Sequence, residues 1–264
     1  MIKTLIFDLD DTLIWDAKSI SMAFQKTCEY ATKKIGVNPV ELEHAVRQEA
    51  RDLYATYETF PHTQNIGINP FEGLWGVFDD EGEEFQKMKE IVPGYQKEAW
   101  IRGLKKLGVD DEAFGRELAE VFPKERKNSP YIYEETFEVL DKLKEDYQLV
   151  LLTNGSPSLQ QIKLKISPEI PGYFDHIIVS GAFGKGKPDA SIFKYVLDLC
   201  GIQADEALMI GDNLMTDILG SSRVNMNNVW INRENKPPND EVKPTYEIDN
   251  LHGLFPILAT LKNR

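Results

Sequence analysis

Four short runs of aliphatic and β-branched residues, each breaking off into polar or glycine residues, constrain this chain more than any other feature. They are "KTLIFDLD" from Lys3, "QLVLLTNG" from Gln148, "HIIVSG" from His176 and "ALMIGDN" from Ala207. Segments of helical periodicity, "PSLQQIKLKI" and "PDASIFKYVLDLC", separate the last three. Strand and helix in alternation predict an α/β fold with a central parallel sheet flanked by helices. A fifth strand, "NNVWINR", follows the helical "LMTDILGSSRV", and a last helix is expected over "LHGLFPILATLKNR".

Between the first and second runs lie more than a hundred residues of different character. "DAKSISMAFQKTCEYATKKIG" reads as a helix from a candidate N-cap, Asp16, to a candidate C-cap, Gly36. "PVELEHAVRQEARDLYATYE" and "PGYQKEAWIRGLKKLG" each open with proline and carry apolar residues three and four apart. A βαβ crossover needs far fewer residues, so 15–128 is expected to be an inserted helical domain. Residues 1–14 and 129–264 then form one discontinuous core domain. "TFPHTQNIGINPFEGLWG" is the least helical stretch of the insertion, and is either a packed connection or a substrate-facing loop. "NRENKPPNDEVKP" reads as a surface connection.

Charge narrows the partners. With 30 Lys+Arg against 43 Asp+Glu the formal charge is -13, which opposes attraction to nucleic acid or an anionic membrane. The basic "PKERK" at 123–127 adjoins acidic residues and reads as a solvated helix end. Cys28 and Cys200 form no CxxC pair, so neither a disulfide framework nor a cysteine metal site is expected. His44, His62, His176 and His252 show no metal spacing. Met-Ile-Lys leads directly into a short β-like run, so a secretory leader is not expected, and no run approaches the ~20 apolar residues of a membrane span. A soluble, cytoplasmic protein is expected, with a monomer as the simplest state.

In parallel sheets of this kind ligands gather beyond the carboxyl ends of the strands. Asp8 and Asp10 end the first strand, Thr153 and Asn154 the second, and Gly211, Asp212 and Asn213 the fourth; Lys187 stands in "GAFGKGKPD" after the third. Asp8 and Asp212 are hard oxygen donors suited to Mg²⁺. A cation would hold Asp8 ionised for attack on phosphorus, and Asp10 is placed to exchange protons with leaving group and water. Lys187, Thr153 and Asn154 would receive phosphoryl oxygens. A calcium loop starting at Asp8 would need glycine at its sixth position and Glu at its twelfth, where Ser19 stands. Asp11 reads as a turn residue, Lys185 as a solvated neighbour of Lys187, and Asp189 as a helix cap.

"FDLDDTL", Thr153 in "LLTNG", Lys187 in "GKGKPD" and "GDNLMTD" follow one another in the order of the four motifs of the haloacid dehalogenase (HAD) superfamily, which the chain resembles. The resemblance implies a Rossmann-like core with an α-helical C1 cap inserted after the first strand. It makes Asp8 the nucleophile and Asp10 the general acid/base, with the Asp10 carbonyl as a further metal ligand beside Asp8 and Asp212. Thr12 would brace the turn, and Asn213 and Asp217 would support the metal waters or Lys187.

The expected activity is Mg²⁺-dependent hydrolysis of a small phosphorylated metabolite through an aspartyl-phosphate. Phosphoserine, a nucleoside monophosphate and a sugar phosphate all fit, with a small amino-acid or organic-acid phosphate preferred. In the insertion His62, Asn65 and Trp75 are candidate substrate contacts, and Arg47, Arg51 and Arg102 candidate anchors for a carboxylate. Dehalogenases of the family lack the second acid that Asp10 supplies. Transport ATPases carry Thr there and large membrane segments. A phosphoglucomutase-like phosphotransferase and a catalytically silent binding protein are the alternatives.

Overall fold

The computed structural model describes residues 1–262. Six parallel strands form one sheet: β1 (Thr4–Phe7), β2 (Gln148–Thr153), β3 (His176–Val179), β4 (Ala207–Gly211), β5 (Asn227–Ile231) and β6 (Tyr246–Ile248). Their order is β3-β2-β1-β4-β5-β6. β1 is therefore internal, with Phe7 opposite Leu151 on one side and Ile210 on the other. Its four residues are all buried, as a strand covered on both faces requires. One face packs Ile6, Val150, Leu152 and Met209 against Phe193 and Val196 of the helix Ala190–Cys200.

β6 was not expected. At three residues beside only β5, it has too short a run to register as periodicity. The last helix starts at Leu254, after a 3₁₀ turn over Leu251–Gly253, and reaches Lys262. Asn263 and Arg264, which close the expected segment, lie outside the described residues.

Contacts divide the chain into two units. One holds Met1–Trp15, Ile132–Gly155 and the chain from Ser167 on; the other holds Asp16–Tyr131 together with Ser156–Ile166. The sequence boundaries kept 156–166 with the sheet. Leu159 and Ile162 of the helix Pro157–Lys165 join the apolar cluster of the helical unit instead.

Within that unit the long helices are Asp16–Ile35, Pro39–Tyr54, Glu83–Lys106 and Glu112–Lys127. Phe24, Trp100 and Phe122 meet at its centre, with Phe24 and Phe122 ring centroids 4.6 Å apart. Gly103 lets Glu83–Lys106 approach Pro39–Tyr54 so closely that a Cβ there would collide with Val46.

Four local expectations are corrected. Asp16 is the first helical residue rather than a flanking cap, and its carboxylate pairs with Arg126. The helix expected to open at Pro93 begins ten residues earlier at Glu83, after Gly82. Proline can start a helix, but it also sits inside one when packing outweighs the lost N–H bond. Residues 59–76 hold two short helices, Phe60–Ile66 and Pro70–Gly73, the second opened by a reciprocal capping bond between Asn69 and Glu72. Finally, "PKERK" is not uniformly solvated, because Arg126 is 1% exposed. It lies over the Trp75 ring at 4.6 Å. Lys163 completes this buried group, 2.9 Å from Glu72 and 3.7 Å from Asp16.

Candidate active site

The strand unit gathers polar and charged residues at the carboxyl ends of the three adjacent strands β2, β1 and β4, joined by Lys187 from beyond β3. Asp8 follows β1 directly, and its amide donates to the Ile210 carbonyl at 2.9 Å, continuing the ladder one residue past the strand. The chain then turns sharply. Asp11 takes a left-handed conformation (φ 58°), and its amide donates to the Ile14 carbonyl at 2.7 Å. Aspartate tolerates that region better than most residues, which accounts for its place in the turn. The Thr12 hydroxyl points back to Asp8 Oδ2 at 3.5 Å.

Lys187 enters from the loop after β3. Its Nζ lies 2.6 Å from Asp8 Oδ1, 2.7 Å from Asp217 Oδ1, and donates to the Leu152 carbonyl at 2.8 Å. The lysine is 4% exposed, Asp8 7% and Asp217 1%. Asn154 fixes this loop from β2: its amide nitrogen donates to the Lys187 carbonyl and its oxygen accepts from the Lys187 amide, both at 2.9 Å. Both ends of the Asn154 side chain are thus committed to backbone. Thr153 beside it is fully buried. Lys185 points elsewhere, 3.4 Å from Asp189, which caps the next helix by accepting from the Ser191 amide.

The motif after β4 folds into a wide helical turn, Leu214–Ile218, that swings Asp217 back toward the sheet. Asp217 Oδ2 accepts from the Asn213 amide at 3.1 Å, and Asn213 Oδ1 from the Met215 amide at 2.9 Å. Gly211 is required here, because a Cβ would collide with the Asp217 carboxylate. Trp230 of β5 donates its indole N–H to the Asp212 carbonyl at 2.8 Å. Asp212, Asn213, Trp230 and Lys236 also line a cavity of about 460 Å³.

Asp8, Asp212 and Asp217 each present a carboxylate oxygen within 4.8 Å of the others. Burial pushes Asp8 up to about 7, with Asp217 and Asp10 adding to the rise and Lys187 opposing it. Burial together with Asp8, Asp217 and Asp11 pushes Asp212 up to about 9. Burial would lower Lys187, but Asp217 and Asp8 outweigh it and hold the ammonium form. An all-oxygen, acidic donor set of this kind suits a hard divalent cation. Lys187 is shared by Asp8 and Asp217, and Asp217 is further engaged by the Asn213 amide.

The insertion candidates lie in the helical unit, and several already have partners there. Arg47 pairs with Glu43 at 2.8 Å and covers the Phe24 and Phe71 rings; Arg51 covers Phe71; exposed Arg102 pairs with Glu98 at 3.2 Å. Trp75 is buried against Arg126, and Asn65 is exposed. His62 is half-buried edge-on to Phe85, and burial lowers its pKa. Trp230, which holds the Asp212 carbonyl, was missed, since an isolated aromatic residue carries no spacing that marks it.

Buried carboxylates and a buried lysine at the carboxyl ends of a parallel sheet define an α/β enzyme with an acidic, cation-competent centre. The chain belongs to the haloacid dehalogenase-like hydrolase family, whose profile matches residues 2–225. It is 31% identical over 253 residues to a phosphoserine phosphatase of Thermus thermophilus, covering 96% of this chain and 98% of that protein. A glyceraldehyde 3-phosphate phosphatase of Pyrococcus abyssi is 31% identical over 238 residues, 87% of this chain and 81% of that protein. A crystal structure of the HAD-hydrolase YfnB of Bacillus subtilis bound to magnesium superposes with a TM-score of 0.64 at 25% identity, covering 97% and 98% of the two chains.

Proposed function

We propose that this chain, a HAD-type phosphatase, hydrolyses a small phosphate monoester through a phosphorylated Asp8. The observation that carries the reading is the bridge by which Lys187 touches Asp8 and Asp217, with Asp212 in the same carboxylate group. A buried nucleophile beside a fixed cation is what phosphoryl transfer needs, since positioning and charge stabilisation supply most of its catalysis.

Asp8 and Asp212 would hold Mg²⁺, with the Asp10 carbonyl as a further donor. A Mg²⁺ bound there would keep the carboxylates ionised and would draw charge from the phosphoryl oxygens. A carboxylate oxygen of Asp8 attacks phosphorus, and the bond to the leaving oxygen breaks. Protonated Asp10 gives that oxygen its proton, releasing an alcohol. Asp10, now a carboxylate, takes a proton from water as the water attacks phosphorus, and the Asp8–phosphorus bond breaks to yield inorganic phosphate. Lys187 and the Thr153 hydroxyl receive phosphoryl oxygens, and Asn154 keeps Lys187 in register.

The phosphatases to which the chain is similar over most of its length are named for phosphoserine and glyceraldehyde 3-phosphate, both short acyclic phosphates. We place the substrate in that size class, with phosphoserine first in order. The test is phosphate release from a panel of phosphoserine, triose and sugar phosphates and nucleoside monophosphates with Mg²⁺, ranked by kcat/KM. If nothing on the panel and no p-nitrophenyl phosphate is hydrolysed, the reading fails.

A further inference from the structure

The loop that carries Asp8 and Asp10 is held from outside by residues that no motif contains. Arg233, just after β5, donates from Nη2 to the Thr12 carbonyl at 3.1 Å and from Nη1 to Glu135 Oε1 at 2.7 Å. Its guanidinium lies 3.5 Å from the centre of the Tyr133 ring, and Tyr133 stacks on Trp15 with centroids 5.3 Å apart and planes 19° from parallel. The arginine and Glu135 side chains are 16% and 13% exposed. Glu135 also accepts from the Leu251 amide at 3.4 Å. One residue further along the loop, the Leu13 carbonyl accepts from the Thr136 hydroxyl at 2.8 Å and the Tyr133 amide at 3.4 Å.

Thr12 is thereby held at both ends. Its carbonyl is bound by Arg233, while its hydroxyl faces Asp8 Oδ2. A continuous path runs from Glu135 through Arg233 and Thr12 to the nucleophile. Only arginine can fill this position fully, because it must offer two parallel donors to separate acceptors and a flat face to an aromatic ring. A lysine is a point charge and could keep Glu135 or Thr12, but not both together with the stack.

We propose that Arg233 is a positioning residue of the reaction: through the Thr12 carbonyl it fixes the loop that aims Asp8 and Asp10, with Glu135 and Tyr133 fixing Arg233. The proposal rests on the phosphatase reading. It predicts a defect in turnover rather than in substrate affinity, since small misplacement of a reacting group costs up to about a hundredfold in rate.

The test compares wild type with Arg233→Met, Arg233→Lys and Glu135→Gln, each assayed well below its own unfolding midpoint on p-nitrophenyl phosphate with Mg²⁺. Arg233→Met is expected to lose about tenfold to a hundredfold in kcat with KM within about threefold. Arg233→Lys and Glu135→Gln fall between it and wild type. Methylguanidinium added to Arg233→Gly is expected to restore part of kcat, which a purely structural role would not allow. Hydrogen exchange followed by mass spectrometry reads the clamp without activity: the peptide covering 8–15 should exchange faster in Arg233→Met. Wild-type kcat in folded Arg233→Met overturns the proposal, as does lost kcat with wild-type exchange in that peptide. An inactive wild type instead sinks the phosphatase reading and leaves the exchange measurement to judge the clamp.

Discussion

The Nζ of Lys187 lies 2.7 Å from Oδ1 of Asp217, and the two side chains are 2% and 1% exposed. The same ammonium serves Asp8, so one cation offsets two carboxylates in a site from which water is largely excluded. Its removal therefore has two separable effects.

Lys187→Met is expected to leave Asp8 and Asp217 buried without a counter-charge. Breaking a buried pair from one side costs about 3–5 kcal/mol, so urea unfolding of the metal-free variant should show a loss of that order. Turnover should fall about a hundredfold or more, as when a fixed donor to the developing charge is lost. Wild-type stability together with wild-type kcat would contradict both roles.

Asp8→Asn should abolish turnover, because an amide cannot form the acyl phosphate, while circular dichroism stays that of the wild type. The metal-free variant is expected to be no less stable than wild type, since a costly buried charge has been removed. Near-normal phosphate release would rule out Asp8 as nucleophile.

Asp8 and Asp212 are raised from the ordinary 3.8 to about 7 and about 9, so between these values the folded protein holds protons that the unfolded chain has released. Their contribution to stability is complete below about pH 4 and is lost as pH rises through about 7 and then about 9. With EDTA present, the thermal midpoint is expected to fall from pH 5 to pH 9. Mg²⁺ should raise the midpoint, and more at pH 8 than at pH 5, because its ligands must first lose protons. A metal-free midpoint that climbs between pH 6 and pH 9 would contradict this assignment.

In the helical unit, Lys163→Met should cost about 3–5 kcal/mol, since Glu72 is 3% exposed and loses a partner at 2.9 Å. Arg102→Ala, on an exposed pair of the same unit, should change stability by less than about 1 kcal/mol. Equal effects from the two substitutions would remove the distinction drawn from burial.

Much of the strand unit was legible because its signals are local. A buried parallel strand must be apolar along its length and turn polar where it ends, and β1, β2 and β4 each do so in a few residues. Asp8, Lys187 and Asp217 could be singled out because each lies in such a motif, and Asp189 because a cap is a one-turn interaction. Arg126 and Lys163 were not legible: each looks like an ordinary basic residue of a charged helix, and only the tertiary placement of Asp16 and Glu72 reveals that they are buried. The same holds for Arg233, whose three partners stand at positions 12, 133 and 135. Pro93 misled because one residue type can open a helix or be tolerated inside it.

The return of Ser156–Ile166 to the helical unit bears on how these genes can be rearranged. A fragment from Asp16 to Tyr131 looks like a cassette that could be excised or exchanged between relatives. It would leave Glu72 without Lys163 and uncover the apolar surface that Leu159 fills. A transplant that carries both segments should fold where the single insertion does not, so recombination between relatives is expected to respect two pairs of junctions rather than one.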